Sequence, residues 1–171
     1  DEWTDWLAAH HVFVVADLAS ELAEKYKASE ELARAAALLH DIADAKMSRF
    51  NPEHEEASLA IARELLAKSG YKDEEIQLIV DDAIRYHSCH DGHAPASLEG
   101  KILSTADSLA HLKTDFYLYA VHARAKRESL AEVKAWTLNK LERDFHAKIQ
   151  FDDVREEVRA DYDMLKMLFS R

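Results

Sequence analysis

Glycine and proline are scarce in this chain, whose 171 residues include three glycines and two prolines. An all-β sandwich or barrel needs a turn about every ten residues, and such turns use glycine and proline heavily. Alanine, leucine, glutamate, lysine and arginine are abundant instead, and these residues favour helices most strongly. The chain is therefore predicted to be all-α.

Apolar residues recur at helical spacing in seven segments, which we interpret as helices. Ser29 is typical of a helix N-cap, and the helix that follows it is apolar nearly all round, so it should be buried. We expect one domain over residues 1–171, an orthogonal bundle of about seven helices. The predicted ranges are 2–27, 29–42, 51–70, 73–87, 98–126, 130–148 and 152–169.

The formal net charge of -11 bears on the choice of partners. An acidic surface repels the phosphate backbone, so a nucleic-acid polymer is not expected as a partner. A small phosphorylated molecule is still possible, because a bound cation can reverse the local field. No apolar run reaches the ~20 residues that cross a bilayer, and the single cysteine, Cys89, fits a reducing compartment. We therefore expect a cytoplasmic protein without a membrane partner, and a homodimer is an open alternative.

His40 and Asp41 are adjacent at the end of the apolar second helix. An aspartate is rarely buried without a partner. A divalent cation would bind both an imidazole nitrogen and a carboxylate oxygen, and would compensate the buried charge. The alternative is an ordinary helix C-terminus with a capping histidine and a solvated aspartate. The dipeptide alone does not decide between the two.

The sequence around this pair resembles the signature of the HD-domain metal-dependent phosphohydrolases. That signature has a histidine on the first helix, a His-Asp pair and a distant aspartate in the form Ala-Asp-x-Leu. His11 and Asp107 occupy the first and last positions. His10 is the competing first histidine, but adjacent helical residues point ~100° apart, and we favour His11. The resemblance covers about residues 5–112, which leaves about 113–171 as C-terminal helices.

The resemblance implies that His11, His40, Asp41 and Asp107 bind a divalent metal ion. Mixed histidine and carboxylate ligands suit Mn, Fe, Co, Ni or Zn.

Two more histidines, His54 and His87, fall where binuclear members of the family carry ligands. With them the site could hold a second ion, bridged by Asp41. Many binuclear members have another histidine where this chain has Ser88, and a lysine where it has Asp44. The number of ions, one or two, is therefore open. The alternative is that His54 and His87 contact phosphate or transfer protons.

The resemblance further implies hydrolysis of a phosphate ester of a small molecule, such as a nucleotide, by water that the metal activates. Asp44 lies one turn beyond Asp41, and both are expected to be catalytic, Asp44 by helping to activate the water. Arg49, Arg85 and Lys101 are close in sequence to the expected ligands and are candidates for binding the substrate phosphate.

Other interpretations remain possible. The residues after 112 contain no metal motif, although Lys140, Arg143 or Lys148 could face the same cleft. A di-iron oxygenase of the HD type and a non-catalytic metal-binding helical module are the alternatives to a hydrolase.

Overall fold

The computed structural model describes residues 2–170, and side chains from Trp3 onward. Over this range the chain is helical without strands, which confirms the all-α prediction. None of the described helices is both long and apolar enough to span a membrane. The helices are α1 (Glu2–Leu7, π-helical Ala8–Val12 and Phe13–Tyr26), α2 (Glu30–Leu39), α3 (His54–Lys68), α4 (Asp73–Ile76 and π-helical Gln77–Ile84), α5 (Leu98–Lys113), α6 (Phe116–Ala125), α7 (Leu130–Arg143 and π-helical Asp144–Lys148), α8 (Asp152–Glu157) and α9 (Arg159–Phe169), with 3-10 turns at Ile42–Ala45 and His90–Gly92.

Two predicted helices are each divided in the structure. The helix expected over 98–126 ends at Lys113, because Thr114 adopts an extended backbone. The Thr114 hydroxyl donates to the Ala110 carbonyl at 2.7 Å and accepts from the Phe116 amide at 3.2 Å. Such side-chain bonds to the backbone compete with helix continuation. The helix expected over 152–169 is divided at Val158, whose φ of -105° is not helical.

Serine side chains cap the starts of three helices. Ser29 accepts a hydrogen bond from the Leu32 amide at 3.4 Å, as the sequence predicted. Ser97 does the same for α5, and Ser129 forms a capping box at the start of α7. These caps satisfy backbone donors that have no partner within the helix, and so define where each helix begins.

Helix α5 is the central helix of the bundle, and every residue from Ile102 to Leu112 is buried. It packs against α1 and α2, whose buried residues include six alanines with no exposed surface: Ala16, Ala19, Ala23, Ala33, Ala36 and Ala37. Small side chains allow the helices to approach closely. Ser104 and Ser108 of α5 donate to the carbonyl oxygens of Lys148 and Asp144, at 3.0 and 2.6 Å. These bonds fix the π-helical end of α7 against α5, close to the candidate site.

Candidate metal centre and its cavity

The four expected metal ligands come together from three helices. His11 lies in the π-helical segment of α1, His40 and Asp41 follow α2, and Asp107 lies in the middle of α5. His11 Nε2 is 3.3 Å from His40 Nε2 and 3.2 Å from Asp107 Oδ1. His40 Nε2 is 3.2 Å from Asp41 Oδ2. Residues far apart in sequence thus present two nitrogens and two carboxylate oxygens to one another.

The structure distinguishes between the two adjacent histidines of α1. His11 is 1% exposed, whereas His10 is exposed and stacks on Trp6 with a centroid distance of 5.8 Å. His11 is therefore the histidine that points into the cluster.

The orientation of His40 leaves one nitrogen available to a ligand. Its Nδ1 lies 2.6 Å from the Ala37 carbonyl oxygen and donates to it. Nε2 then faces His11 and Asp41, where a metal ion would take the place of any proton on it. Metal-binding histidines commonly have one nitrogen held in this way by a backbone carbonyl.

The unsatisfied atoms of the cluster fit a divalent cation. Asp107 Oδ1 is buried and accepts no well-aligned hydrogen bond from the residues that the structure describes, although Nε2 of His11 and Nε2 of His111 lie 3.2 and 3.1 Å from it. A buried carboxylate oxygen without a donor is costly. Burial lowers the pKa of His11 by more than Asp107 raises it, so its imidazole is neutral, as a metal ligand requires. The donor set of imidazoles and carboxylates is the one that transition metals prefer.

Charges around the cluster keep its carboxylates ionised. Burial alone would raise the pKa of Asp41, but Arg49 and His40 more than offset it, and that pKa lies well below its usual range. Burial likewise tends to lower the pKa of His40, yet the carboxylates of Asp41 and Asp107 outweigh it and raise that pKa. The same negative field favours any cation bound at this position.

His111 is part of the cluster and was not identified from the sequence. Its Nε2 is 3.1 Å from Asp107 Oδ1, and its ring stacks on His11 with a centroid distance of 5.0 Å. Burial lowers the pKa of His111 to about 3, so it is neutral. A signal was present, because His111 lies four residues after Asp107 and so shares its helix face.

Asp44 is buried beside Asp41 rather than solvated. The 3-10 turn Ile42–Ala45 places its carboxylate where Trp3 Nε1 donates to Oδ1 at 3.2 Å. Arg49 Nη2 forms an ion pair with Asp44 Oδ2 and a second one with Asp41 Oδ2, the latter at 2.6 Å. His54 Nε2 is 3.3 Å from Asp44 Oδ2. Arg49 thus bridges the two aspartates that are expected to be catalytic.

His54 and His87 do not come together as a pair of ligands. The His87 ring lies 5.2 Å from that of His40, and His87 belongs to a metal-capable group with His40 and Asp107. Burial lowers the pKa of His87 to about 4. Within residues 2–170, no such group contains His54, which contacts Asp44 instead. The second metal position, which the sequence left open, is therefore not formed by His54 and His87 together among the described residues.

A cavity of about 750 Å³ opens onto the cluster. Arg49 lines this cavity, but Arg85 and Lys101, the other two candidates for binding substrate, do not. Arg85 pairs with Glu56 at 3.0 Å, away from the cavity. The other cations in the cavity wall come from α6, α7 and the loop between them, and its aromatic residues come from four segments. These cations are Arg124, Lys126, Arg127, Lys140, Arg143 and Lys148, and the aromatic residues are Trp3, Phe50, Phe116, Tyr119 and Trp136.

A buried ionic network from α7 supports the cluster from behind. Lys148 Nζ forms an ion pair with Asp107 Oδ2, which leaves Oδ1 directed at the histidines. Asp144 accepts from Tyr117 Oη at 2.6 Å and lies 3.3 Å from Lys140 Nζ. Burial lowers the pKa of Lys140 to about 8. The C-terminal helices therefore help to fix a residue of the metal centre.

Comparison with known proteins agrees with this geometry. A family model described as HD domain matches residues 8–112. The chain is 33% identical over 108 residues to the uncharacterised protein YpgQ of Bacillus subtilis (strain 168), covering 61% of this chain and 49% of YpgQ. It thus spans about half the length of this relative. The crystal structure of Bacillus subtilis YpgQ in complex with ADP has a TM-score of 0.67 and 24% identity, and the match covers 98% of this chain and 88% of that chain.

The matched segment contains all the residues that carry the resemblance seen in the sequence. Residues 8–112 make up more than half of the 171 residues, and they include His11, His40, Asp41 and Asp107. HD-domain proteins are commonly metal-dependent phosphohydrolases. This protein belongs to the HD-domain family.

Proposed function

We propose that this protein is a metal-dependent phosphohydrolase that cleaves a phosphate ester of a small molecule, with a nucleotide as the leading candidate. The observation that carries the proposal is the convergence of His11, His40, Asp41 and Asp107 beside a cavity lined by cations. A cavity of about 750 Å³ is also of a size typical of small-molecule sites.

The chain's own residues divide the work of the reaction. A divalent cation held by the four ligands would supply an acidic water and would neutralise charge on the phosphoryl group. Asp44 has its carboxylate held by Trp3 and Arg49 next to Asp41. We assign Asp44 to orienting the attacking water and accepting its proton, in a step that takes place away from bulk solvent.

A nucleotide suits the cavity for two reasons. Its aromatic walls can stack on a base, and its cations can bind phosphate oxygens. The structure of the relative YpgQ was determined in complex with ADP, which supports a nucleotide for this chain as well.

Metal analysis and turnover together test the proposal. We expect the purified protein to contain about one equivalent of Mn, Fe, Co, Ni or Zn, and the His40→Ala/Asp41→Ala variant to lose it. The wild type should then hydrolyse members of a panel of nucleotides and other phosphate esters, and the His40→Ala/Asp41→Ala variant should not. His10→Ala is the matched control, because His10 lies on the same helix but is exposed and outside the cluster, and it should retain metal and activity.

The outcomes separate the alternatives. Metal binding without hydrolysis of any ester would support a non-catalytic module, and failure to bind metal after reconstitution would contradict the whole proposal. A di-iron oxygenase would consume oxygen when loaded with iron. The structure supports that alternative less well, because Arg49 already forms an ion pair with Asp41, and because His54 contacts Asp44 rather than joining a metal-capable group among the described residues.

A further inference from the structure

Most cations that line the cavity already have carboxylate partners. Arg49 pairs with Asp41 and Asp44, and Arg124 pairs with Glu128 at 2.7 Å. Lys140 and Lys148 both lie beside Asp144. A guanidinium or ammonium group that is already neutralised has less to offer a substrate anion.

Arg143, the last residue of the regular part of α7, is different. It lines the cavity, and its side chain makes no hydrogen bond or ion pair with any of residues 3–170. Its Nε is buried and lacks a partner. Lys126 and Arg127 also line the cavity without a carboxylate partner, but both are exposed, and Arg127 lies over the Phe50 ring at 4.8 Å. Among the described cations that line the cavity, Arg143 is therefore the half-buried one whose guanidinium has no carboxylate partner.

The position of Arg143 relates it to the metal centre. It lies three residues after Lys140 on α7, so the two side chains are neighbours on the helix surface. The π-helical segment that follows contains Lys148, which pairs with Asp107. The positive charge of Arg143 is one of the influences that lower the pKa of His90, after burial, and His90 also lines the cavity. Arg143 thus lines the same cavity as the ligand cluster, on the helix that also carries Lys140 and Lys148.

We propose that Arg143 binds the phosphate group of the substrate through the N–H groups of its guanidinium. A planar guanidinium can donate two parallel hydrogen bonds to two oxygens of one phosphate group. Such an anion would give this guanidinium the charge partner that the described residues of the protein do not provide. This inference rests on the proposed function for the identity of the anion as a substrate phosphate.

Binding measurements test the role of Arg143 without requiring turnover. Inorganic phosphate and adenosine are titrated separately into the metal-loaded protein by calorimetry. We expect Arg143→Met to weaken phosphate binding by about 10- to 100-fold, since a charge-assisted pair of hydrogen bonds is lost. Arg143→Lys should restore part of the affinity, because it keeps the charge but not the paired donors. Adenosine has no phosphate, and its affinity should not change.

The controls distinguish binding from a structural role. Arg85→Met removes a cation outside the cavity and should leave phosphate affinity within about twofold of the wild type. Arg143 has no partner to lose, so Arg143→Met should not lower the melting temperature. Equal phosphate affinity in Arg143→Met and the wild type, or equal losses for phosphate and adenosine, would overturn the inference. So would a wild type that binds no phosphate, whereas phosphate binding without hydrolysis would overturn the proposed reaction alone.

Discussion

Replacing Asp144 by asparagine tests whether buried charge in the C-terminal helices stabilises the fold around the metal centre. Asp144 has no exposed surface and lies 3.0 Å from His111 Nδ1. The ammonium groups of Lys140 and Lys148 are 3.3 and 3.6 Å from its Oδ1. Asparagine keeps the size of the side chain but removes its charge. Two buried lysines would then share only the Asp107 carboxylate.

The expected loss of stability is large. Removing one partner of a buried ion pair costs about 3–5 kcal/mol, because the remaining charge is left uncompensated. For a protein of this size each kcal/mol lowers the melting temperature by about 2–4 °C, so we expect a decrease of about 6–20 °C. Tyr117→Phe is the matched control. It removes one hydrogen bond to the Asp144 carboxylate, at 2.6 Å, and should cost only about 1.5–3 kcal/mol.

The contribution of Asp144 to the free energy of unfolding should change with pH in a defined direction. Burial alone would raise the pKa of Asp144, but Lys140, His111 and Lys148 more than offset it, so the pKa lies below its usual range in the folded protein. The stabilisation by this carboxylate is therefore fully present above the unfolded pKa of about 3.9, and it is lost as the pH falls towards the folded value. The difference in free energy of unfolding between wild type and Asp144→Asn should shrink below about pH 4.

Urea unfolding followed by circular dichroism at pH 7, 5 and 3.5 measures this difference. A loss below about 1 kcal/mol at pH 7 would refute the reasoning, because it would place Asp144→Asn among ordinary surface substitutions. A difference that increased as the pH fell would refute the assigned sign.

Three further predictions follow from single residues. Leu103→Ala should cost about 2–5 kcal/mol of stability, because Leu103 is fully buried in α5, while metal content stays unchanged; chemical denaturation and elemental analysis check both. Burial lowers the pKa of Lys140 to about 8 in the folded protein, whereas the pKa in the unfolded chain is about 10.4. Between these two pH values the unfolded chain binds more protons than the folded protein does. The free energy of unfolding of the wild type should therefore rise with pH relative to that of Lys140→Met, by up to about 1.4 kcal/mol per pH unit. Arg49→Met removes the cation that bridges Asp41 and Asp44. We expect metal content to be retained while kcat for the ester falls about 10- to 100-fold. Loss of metal instead would show that Arg49 has a structural role.

The sequence was most informative where local pattern and chemistry coincide. The His-Asp pair at the end of an apolar helix indicated a cation site, and the structure brings the other two expected ligands, His11 and Asp107, to it. The division of the helix expected over 98–126 was not predictable from apolar spacing. It depends on two hydrogen bonds of the Thr114 side chain, and threonine is also found within helices.

The substrate-binding candidates show why closeness in sequence is a weak guide. Arg85 lies two residues before His87, so it is rotated about 200° around the helix and points to the opposite side. Lys101 lies six residues before Asp107, about 120° away on α5. Both were chosen for nearness to ligands, whereas the helical period directs them away from the cavity.

The network behind the metal centre was missed for a different reason. Asp144 and Lys148 act on Asp107 across a gap of about forty residues, and no local pattern relates them to the HD signature. Only the packing of the π-helical end of α7 against α5 brings them together. His111 is the exception, because its spacing of four residues from Asp107 could have revealed it.

The two parts of the chain therefore contribute differently to the site. Residues 8–112, which match the HD-domain family, carry the four expected ligands. Apart from Arg49, the lysines and arginines that line the cavity lie after residue 112, among them Arg124 and Arg143, and so do several of its aromatic residues, including Trp136. Lys148 connects the two parts, because it forms an ion pair with Asp107 Oδ2. It lies on α7, the helix that also places Arg143 at the cavity.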